Sequence, residues 1–261
     1  MTDSTRLVTN SQRIAPTRTE SELKGRFVQY GRHRRLTDNS TIDLIDLRSC
    51  FPRDVVENNY ENGVGTLITK DDIWSLVDNA FFACKNLKTI RIPESCRAIE
   101  SGAFFGCQSL ESFHVSEQID EIGYAAFSSC DSLNMFTGKY ASQDGKFLID
   151  DTGRMFAFAP YGMKECIVPE GVVLISRETF EGNNFLESVV LPSTIKRLEE
   201  FAFCELKALK EVHIKAKNPP EKNGHSFYAY RYFHYMKLYV PKGTIDAYSR
   251  WGEPFDDIIE E

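Results

Sequence analysis

Between residues 80 and 130 the chain writes one phrase three times. Ala80-Phe81-Phe82-Ala83-Cys84 returns as Ala103-Phe104-Phe105-Gly106-Cys107 and again as Ala126-Phe127-Ser128-Ser129-Cys130, each 23 residues after the last. A period in the twenties specifies a solenoid, because a unit that short cannot bury its own apolar face and is completed only by its neighbours. Positions that repeat are therefore the ones that stack, and function belongs to what the coils leave exposed.

Aligned on this phrase, the apolar columns run the length of the array. Leu76, Ile99, Ile122, Ile175 and Leu198 form one column, and Ile73, Cys96, Ile119, Val172 and Ile195 precede it by three residues. After the Phe come Cys84, Cys107, Cys130, Asn183 and Leu206, then Leu87, Leu110, Leu133, Leu186 and Leu209. Each unit closes on Ile90, Phe113, Phe136, Val189 or Val212, followed two residues later by Ile92, Val115, Leu191 or Ile214. The A-F-x-x-C-x-x-L half has the spacing of a short helical turn, and the L-x-x-I-x-I half ends in the alternation of a strand.

The interval widens once, since Lys139 and Pro169 hold equivalent places 30 residues apart. The extra residues carry two apolar runs split by Asp150-Asp151-Thr152-Gly153, the pattern of a β-hairpin. We therefore divide the chain into a flexible polar tail (1–25), an N-terminal capping region with degenerate coils (26–70), a repeat array (71–222) that includes a hairpin insert at 140–165, and a C-terminal coil and cap (223–261). Strands are expected at 26–30 and 41–47, and Leu44 and Leu67 stand 23 residues apart, which extends the coils toward the N-terminus. Ile245 to Trp251 reads as a short final helix, with Trp251, Phe255, Ile258 and Ile259 roofing the last coil.

Composition narrows the class further. A 42% hydrophobic share supports a continuous core. No run of about 18 apolar residues is long enough to span a bilayer. The N-terminus lacks the apolar segment of a secretory signal, which favours the cytoplasm. The net charge of −7 hides a basic start: residues 1–36 hold eight Lys and Arg against three acids. Seven cysteines make an odd count. Cys84, Cys107 and Cys130 would stack about 5 Å apart on successive coils, but equivalent side chains point the same way, so we expect a ladder of buried thiols acting as small hydrophobes. Cys96 and Cys166 also fall on core columns, whereas Cys50 and Cys204 lie off the pattern, and none shows zinc-finger spacing.

The phrase I-x-x-I-x-x-x-A-F-x-x-C-x-x-L-x-x-I-x-I-P resembles the BspA-like leucine-rich repeat, the insert resembles the hairpin coil found inside such arrays, and LYVPKGTIDAY with its following Trp resembles their usual ending. The resemblance covers residues 70–261. It implies an α/β repeat solenoid, a right-handed leucine-rich-repeat coil with a parallel β-sheet on one face and short helical turns on the other. It also implies a non-enzymatic protein displayed on a microbial surface or secreted for adhesion. The lack of a leader and this implication pull the expected compartment in opposite directions.

The outward strand positions are the candidate binding site. They form two ladders: Arg91, His114, Thr137, Ile167, Val190, His213 and Tyr239, and beside them Thr89, Ser112, Met135, Glu165, Ser188, Glu211 and Lys237. Such a face offers breadth and no enclosed pocket, which suits a protein or peptide partner. A second, aromatic surface is carried by Tyr228, Tyr230, Tyr232 and Tyr235, residue types that binding hot spots favour, although cap packing also accounts for them. We expect no catalytic residue, metal site or cofactor, and a monomer. His114 and His213 lie four coils, about 19 Å, apart and cannot share an ion; the paired carboxylates fall in turns and strand edges. Two other function classes stay open: a metal-dependent or other enzyme built on the C-terminal His and aromatic cluster around His225 and His234, and nucleic-acid binding by the basic stretch from Lys24 to Arg35.

Overall fold

The computed structural model describes residues 6–10, 55–61, 64–69, 72–228, 236–253 and 255–261. The chain divides into two compact units, Met1–Lys139 and Tyr140–Glu261. Each is built of stacked β-solenoid coils. The expected strands at 26–30 and 41–47, the basic stretch from Lys24 to Arg35, Cys50, His234, and Tyr230, Tyr232 and Tyr235 lie outside the described residues.

The inward columns are buried as their periodicity requires. In the first unit Leu76, Ile99, Phe104, Cys107, Leu110 and Val115 are fully buried, and in the second so are Ile175, Phe180, Leu186, Val189, Leu198 and Val212. Ile90, at the edge of the array, is only half-buried.

Short helical turns do not form on the other face. Among the described residues the one α-helix is α1 (Ile245–Tyr248). The A-F-x-x-C stretch is instead a run of tight turns, because a residue in the left-handed region recurs four residues apart in each coil. These pairs are Asn79 and Ala83, Gly102 and Gly106, Ala125 and Ser129, Glu178 and Gly182, and Phe201 and Glu205. A left-handed residue stops a helix after one step. The amides then alternate. Ala80, Phe82 and Cys84 donate within the turn to the carbonyls of Val77, Asn79 and Phe81, while Asn79, Phe81 and Ala83 donate to Ser101, Ala103 and Phe105 of the following coil at 2.9, 2.6 and 2.7 Å. Apolar spacing of three and four is thus met without a helix, and the backbone is satisfied between coils.

In the first unit the short strands β4 (Ser75–Leu76), β6 (Ala98–Ile99) and β8 (Glu121–Ile122) form a three-stranded parallel sheet. β7 (Ser112–Val115) pairs in parallel with β9 (Met135–Gly138), Ser112 opposite Met135 and His114 opposite Thr137. β5 (Thr89–Arg91) pairs antiparallel with β1 (Arg6–Asn10), whose other edge takes β3 (Val64–Thr69), itself paired with β2 (Val55–Glu61). Val55–Glu61 and Val64–Thr69 are therefore an antiparallel pair, and Arg6–Asn10, within the expected tail, is a strand. The edge of β5 presents unpaired backbone groups, and an antiparallel strand from a distant part of the chain satisfies them.

In the second unit β12 (Glu165–Ile167), β14 (Ser188–Leu191), β17 (Glu211–Ile214), β20 (Lys237–Val240) and β21 (Asp257–Glu260) form a five-stranded sheet, parallel throughout. The hairpin is present: β10 (Phe147–Ile149) and β11 (Arg154–Phe158) pair antiparallel, and β11 then pairs in parallel with β13 (Leu174–Ile175), followed by β15 (Arg197–Leu198) and β18 (Glu221–Lys222). The insert thus extends the short-strand sheet of the coil. Its turn is closed by the Asp150 carboxylate, which accepts from the amides of Thr152 and Arg154 at 3.0 and 2.9 Å. Gly153 is required there, since its φ is +80° and a Cβ would come within 2.4 Å of the Gly171 carbonyl oxygen. β16 (Phe203–Cys204) and β19 (Phe227–Tyr228) pair on the turn side, so Cys204, off the sequence pattern, is nevertheless buried.

The C-terminal cap is tethered by buried polar contacts. The Tyr248 hydroxyl donates to the Ala216 carbonyl at 2.8 Å, and Trp251 Nε1 donates to that of Pro220 at 2.8 Å. Phe255 and Ile258 pack against the core as expected. Ile259 does not roof it, because β21 pairs Ile259 with Tyr239 on the outward line.

Cys84, Cys96, Cys107, Cys130, Cys166 and Cys204 are all buried thiols. Cys107 and Cys130 donate from Sγ to the carbonyls of Phe81 and Phe104 at 3.1 and 3.2 Å, and burial raises both thiols well above the usual range. Since the thiolate is the reactive form, a thiol reagent in mildly alkaline buffer should leave these six unlabelled in the folded protein and label them all in denaturant. Rapid labelling of Cys107 in native protein, located by peptide mapping, would contradict the ladder.

Candidate functional site

The alternation that buries one side of each strand turns the other outward, and none of the ladder residues is buried. In the first unit Arg91, His114, Met135 and Thr137 are exposed, with Thr89 and Ser112 half-buried. In the second Glu165, Ile167 and Lys237 are exposed, with Ser188, Val190, Glu211, His213 and Tyr239 half-buried. The parallel register brings equivalent positions side by side: Glu165, Ser188, Glu211 and Lys237 form one line, and Ile167, Val190, His213 and Tyr239 the next. Each unit's strands expose a large apolar side chain, Met135 at 45% in the first and Ile167 at 57% in the second.

Several of these side chains are held in place by one another. In the first unit His114 Nδ1 lies 3.0 Å from Thr137 Oγ1. In the second the rings of His213 and Tyr239 stack at 4.3 Å with planes 6° apart, and His213 Nδ1 lies 3.1 Å from the Glu261 carboxylate. Beside the second face Glu187 takes an ion pair from both Lys164 and Lys210 at 2.9 Å. Hydrogen bonds from these two lysines hold its carboxyl down at about 2. What stabilisation the pair of bridges supplies is present above the ordinary carboxylate pKa and disappears as the pH falls through about 2.

Sequence periodicity missed three residues of this face. Asp257 and Ile259 continue the two lines on β21, and Glu261 reaches back to His213. The only signal is the pair Ile258-Ile259 between acids, too short to distinguish a strand from a cap.

On the aromatic surface, Tyr228 is 40% exposed and its ring tilts against Phe201 at 5.5 Å. His225 is exposed and its carbonyl accepts from the Phe201 amide at 2.9 Å. Among the described residues no group of three or more His, Cys, Asp or Glu stands close enough to hold a metal ion, and no helix is long and apolar enough to cross a membrane.

The sequence profile of the BspA type leucine rich repeat region matches this chain in six copies, over residues 60–143 and 154–248. No curated protein matches it. Solved structures that resemble it include the pneumococcal vaccine antigen PcpA, 16% identical over 72% of this chain and 65% of that one, with a TM-score of 0.43. A leucine rich cell surface protein from Faecalibacterium prausnitzii is 17% identical over 72% and 69%, with a TM-score of 0.36. A leucine-rich repeat protein from Eubacterium ventriosum is 15% identical over 71% and 63%, with a TM-score of 0.45. The chain spans less than two thirds of the first and third of these.

Proposed function

Because this chain belongs to the BspA-type leucine-rich-repeat family, we propose that it is a non-enzymatic binding module that captures a protein partner through the outward face of its strands, in adhesion at a bacterial cell surface. The observation that carries the reading is the exposure of large apolar side chains, Met135 and Ile167, on strands whose opposite sides are fully committed to the core. Strand faces that mix exposed apolar side chains with charged and polar ones have the make-up of a protein interface. The polar residues around it are suited to fixing register and partner choice more than to supplying affinity.

Charge reversal on the face tests the reading. Arg91→Glu combined with Glu211→Lys should leave the circular-dichroism spectrum and unfolding midpoint close to wild type, since both positions are at the surface, while proteins recovered by the wild-type chain in pull-down and mass spectrometry are lost. A companion variant, Ile167→Arg, should do the same by removing apolar contact area. Unchanged capture by both variants would move the binding site off the strands.

A further inference from the structure

We propose that the outward face of the second unit binds a basic, proline-rich stretch of polypeptide in the polyproline II conformation, with a Lys or Arg at every third position. This deepens the reading of the strand face as a binding surface and rests on it.

Charge sets the first constraint on the partner. Glu165, Glu211 and Asp257 lie on one register line, on β12, β17 and β21, with Ser188 and Lys237 on the strands between them. The nearest lysines of the neighbouring line do not neutralise them, because Lys164 and Lys210 are both engaged by Glu187 at 2.9 Å. Among the described residues Glu165, Glu211 and Asp257 form no ion pair, and the one cation in their line, Lys237, forms none either. Three carboxylates against one ammonium leave the line anionic, which selects a cationic partner.

Spacing then selects its conformation. The carboxylates occupy alternate strands, so they recur every two strand separations, about 9.4–9.8 Å. A polyproline II chain rises about 3.1 Å per residue and turns once in three residues, so every third side chain returns to one face after about 9.3 Å. A β-extended peptide repeats a face every second residue, at about 6.6 Å, and its third residue points away. A helix brings a residue back near the same face at seven positions, about 10.5 Å, and falls out of step by roughly 1 Å at each carboxylate. Only the polyproline II period matches the spacing along the whole line.

The adjoining line supplies the apolar half of the site. Ile167, Val190, the stacked rings of His213 and Tyr239, and Ile259 run parallel to the carboxylates. Proline rings pack on such aliphatic and aromatic side chains, and a segment already extended loses little conformational entropy on docking. The peptide would lie across the strands, its cations over Glu165, Glu211 and Asp257 and its prolines over the apolar line.

The test is titration of the full chain with labelled synthetic peptides of equal length and equal numbers of arginine and proline, the arginines set two, three or four positions apart, followed by fluorescence anisotropy. The every-third peptide should bind best. Its affinity should fall about tenfold or more in the triple variant Glu165→Gln, Glu211→Gln, Asp257→Asn, as loss of three surface charge pairs implies, and should weaken with added salt. Equal binding of the three peptides, no binding of any, or indifference to the triple variant each overturns the proposal. If the peptides fail while Ile167→Arg still abolishes partner capture, the face remains a binding surface and the peptide chemistry assigned to it falls.

Discussion

Replacing Phe104 by alanine should destabilise the first unit by about 3–5 kcal/mol, the cost of emptying a large, fully buried aromatic site. Phe104 is completely buried. Its ring stacks on Phe81 and on Phe127, each at 5.3 Å, and leans against Phe113 at 5.0 Å. In a solenoid each coil is stabilised by its two neighbours, so this one truncation damages two interfaces. Against a total stability of about 5–15 kcal/mol for a typical domain, the loss removes a large share. The adjacent residue is an internal control. Phe105 stacks on Phe82 at 5.2 Å but is half-buried, and Phe105→Ala should cost only about 1 kcal/mol. Urea titrations followed by circular dichroism decide the matter: equal losses for the two variants would mean that the Phe104 stack is not the core of the coil.

The second large effect belongs to Glu253. Its side chain is fully buried, Oε1 and Oε2 accept from the amides of Ser226 and Phe227 at 3.1 and 3.4 Å, and Lys222 Nζ stands 3.3 Å from Oε1. In the preceding coil the counterparts of these amides use backbone acceptors: Phe203 donates to the Ser226 carbonyl of the next coil at 2.8 Å, and Ala202 to the Glu199 carbonyl of its own turn at 3.2 Å. Here a side-chain carboxylate takes the place of that backbone and ends the hydrogen-bonding pattern. Glu253→Ala leaves the two amides without their acceptor and removes the carboxylate from Lys222, whose ammonium keeps only the Gly252 carbonyl at 3.1 Å, a loss of about 3 kcal/mol. Glu253→Gln retains one acceptor oxygen and should cost less. Hydrogen exchange at residues 225–228 should accelerate in both variants, more in the alanine. Exchange at the wild-type rate together with a loss below about 1 kcal/mol would show that the carboxylate does not satisfy these amides.

How far the residues announced this structure depended on whether a feature repeats. The columns through Leu76, Ile99 and Ile122, and through Ile175 and Leu198, were legible because a position that stacks on its own counterpart must stay apolar in every coil, and all of these are buried. The hairpin was legible in Asp150 to Gly153 because a tight turn imposes its own local chemistry. The ladder from Glu165 to Lys237 followed from strand alternation alone. A helix was expected for A-F-x-x-C because helix and serial turns ask for the same apolar spacing. The glycines at 102 and 106 were the signal for left-handed backbone, diluted by Asn79, Ala83, Phe201 and Glu205 at the equivalent places.

Three features were decided only in three dimensions. They are the antiparallel pairing of Arg6–Asn10 with Thr89–Arg91, the addition of Asp257–Glu260 to the sheet face, and the burial of Glu253 beneath the last coil. Each satisfies backbone groups left over where the coils stop, and the partner comes from wherever the chain passes. Repetition encodes what one coil offers the next. The ends of the stack have no counterpart in the period, so their residues show their role only when distant parts of the chain are brought together.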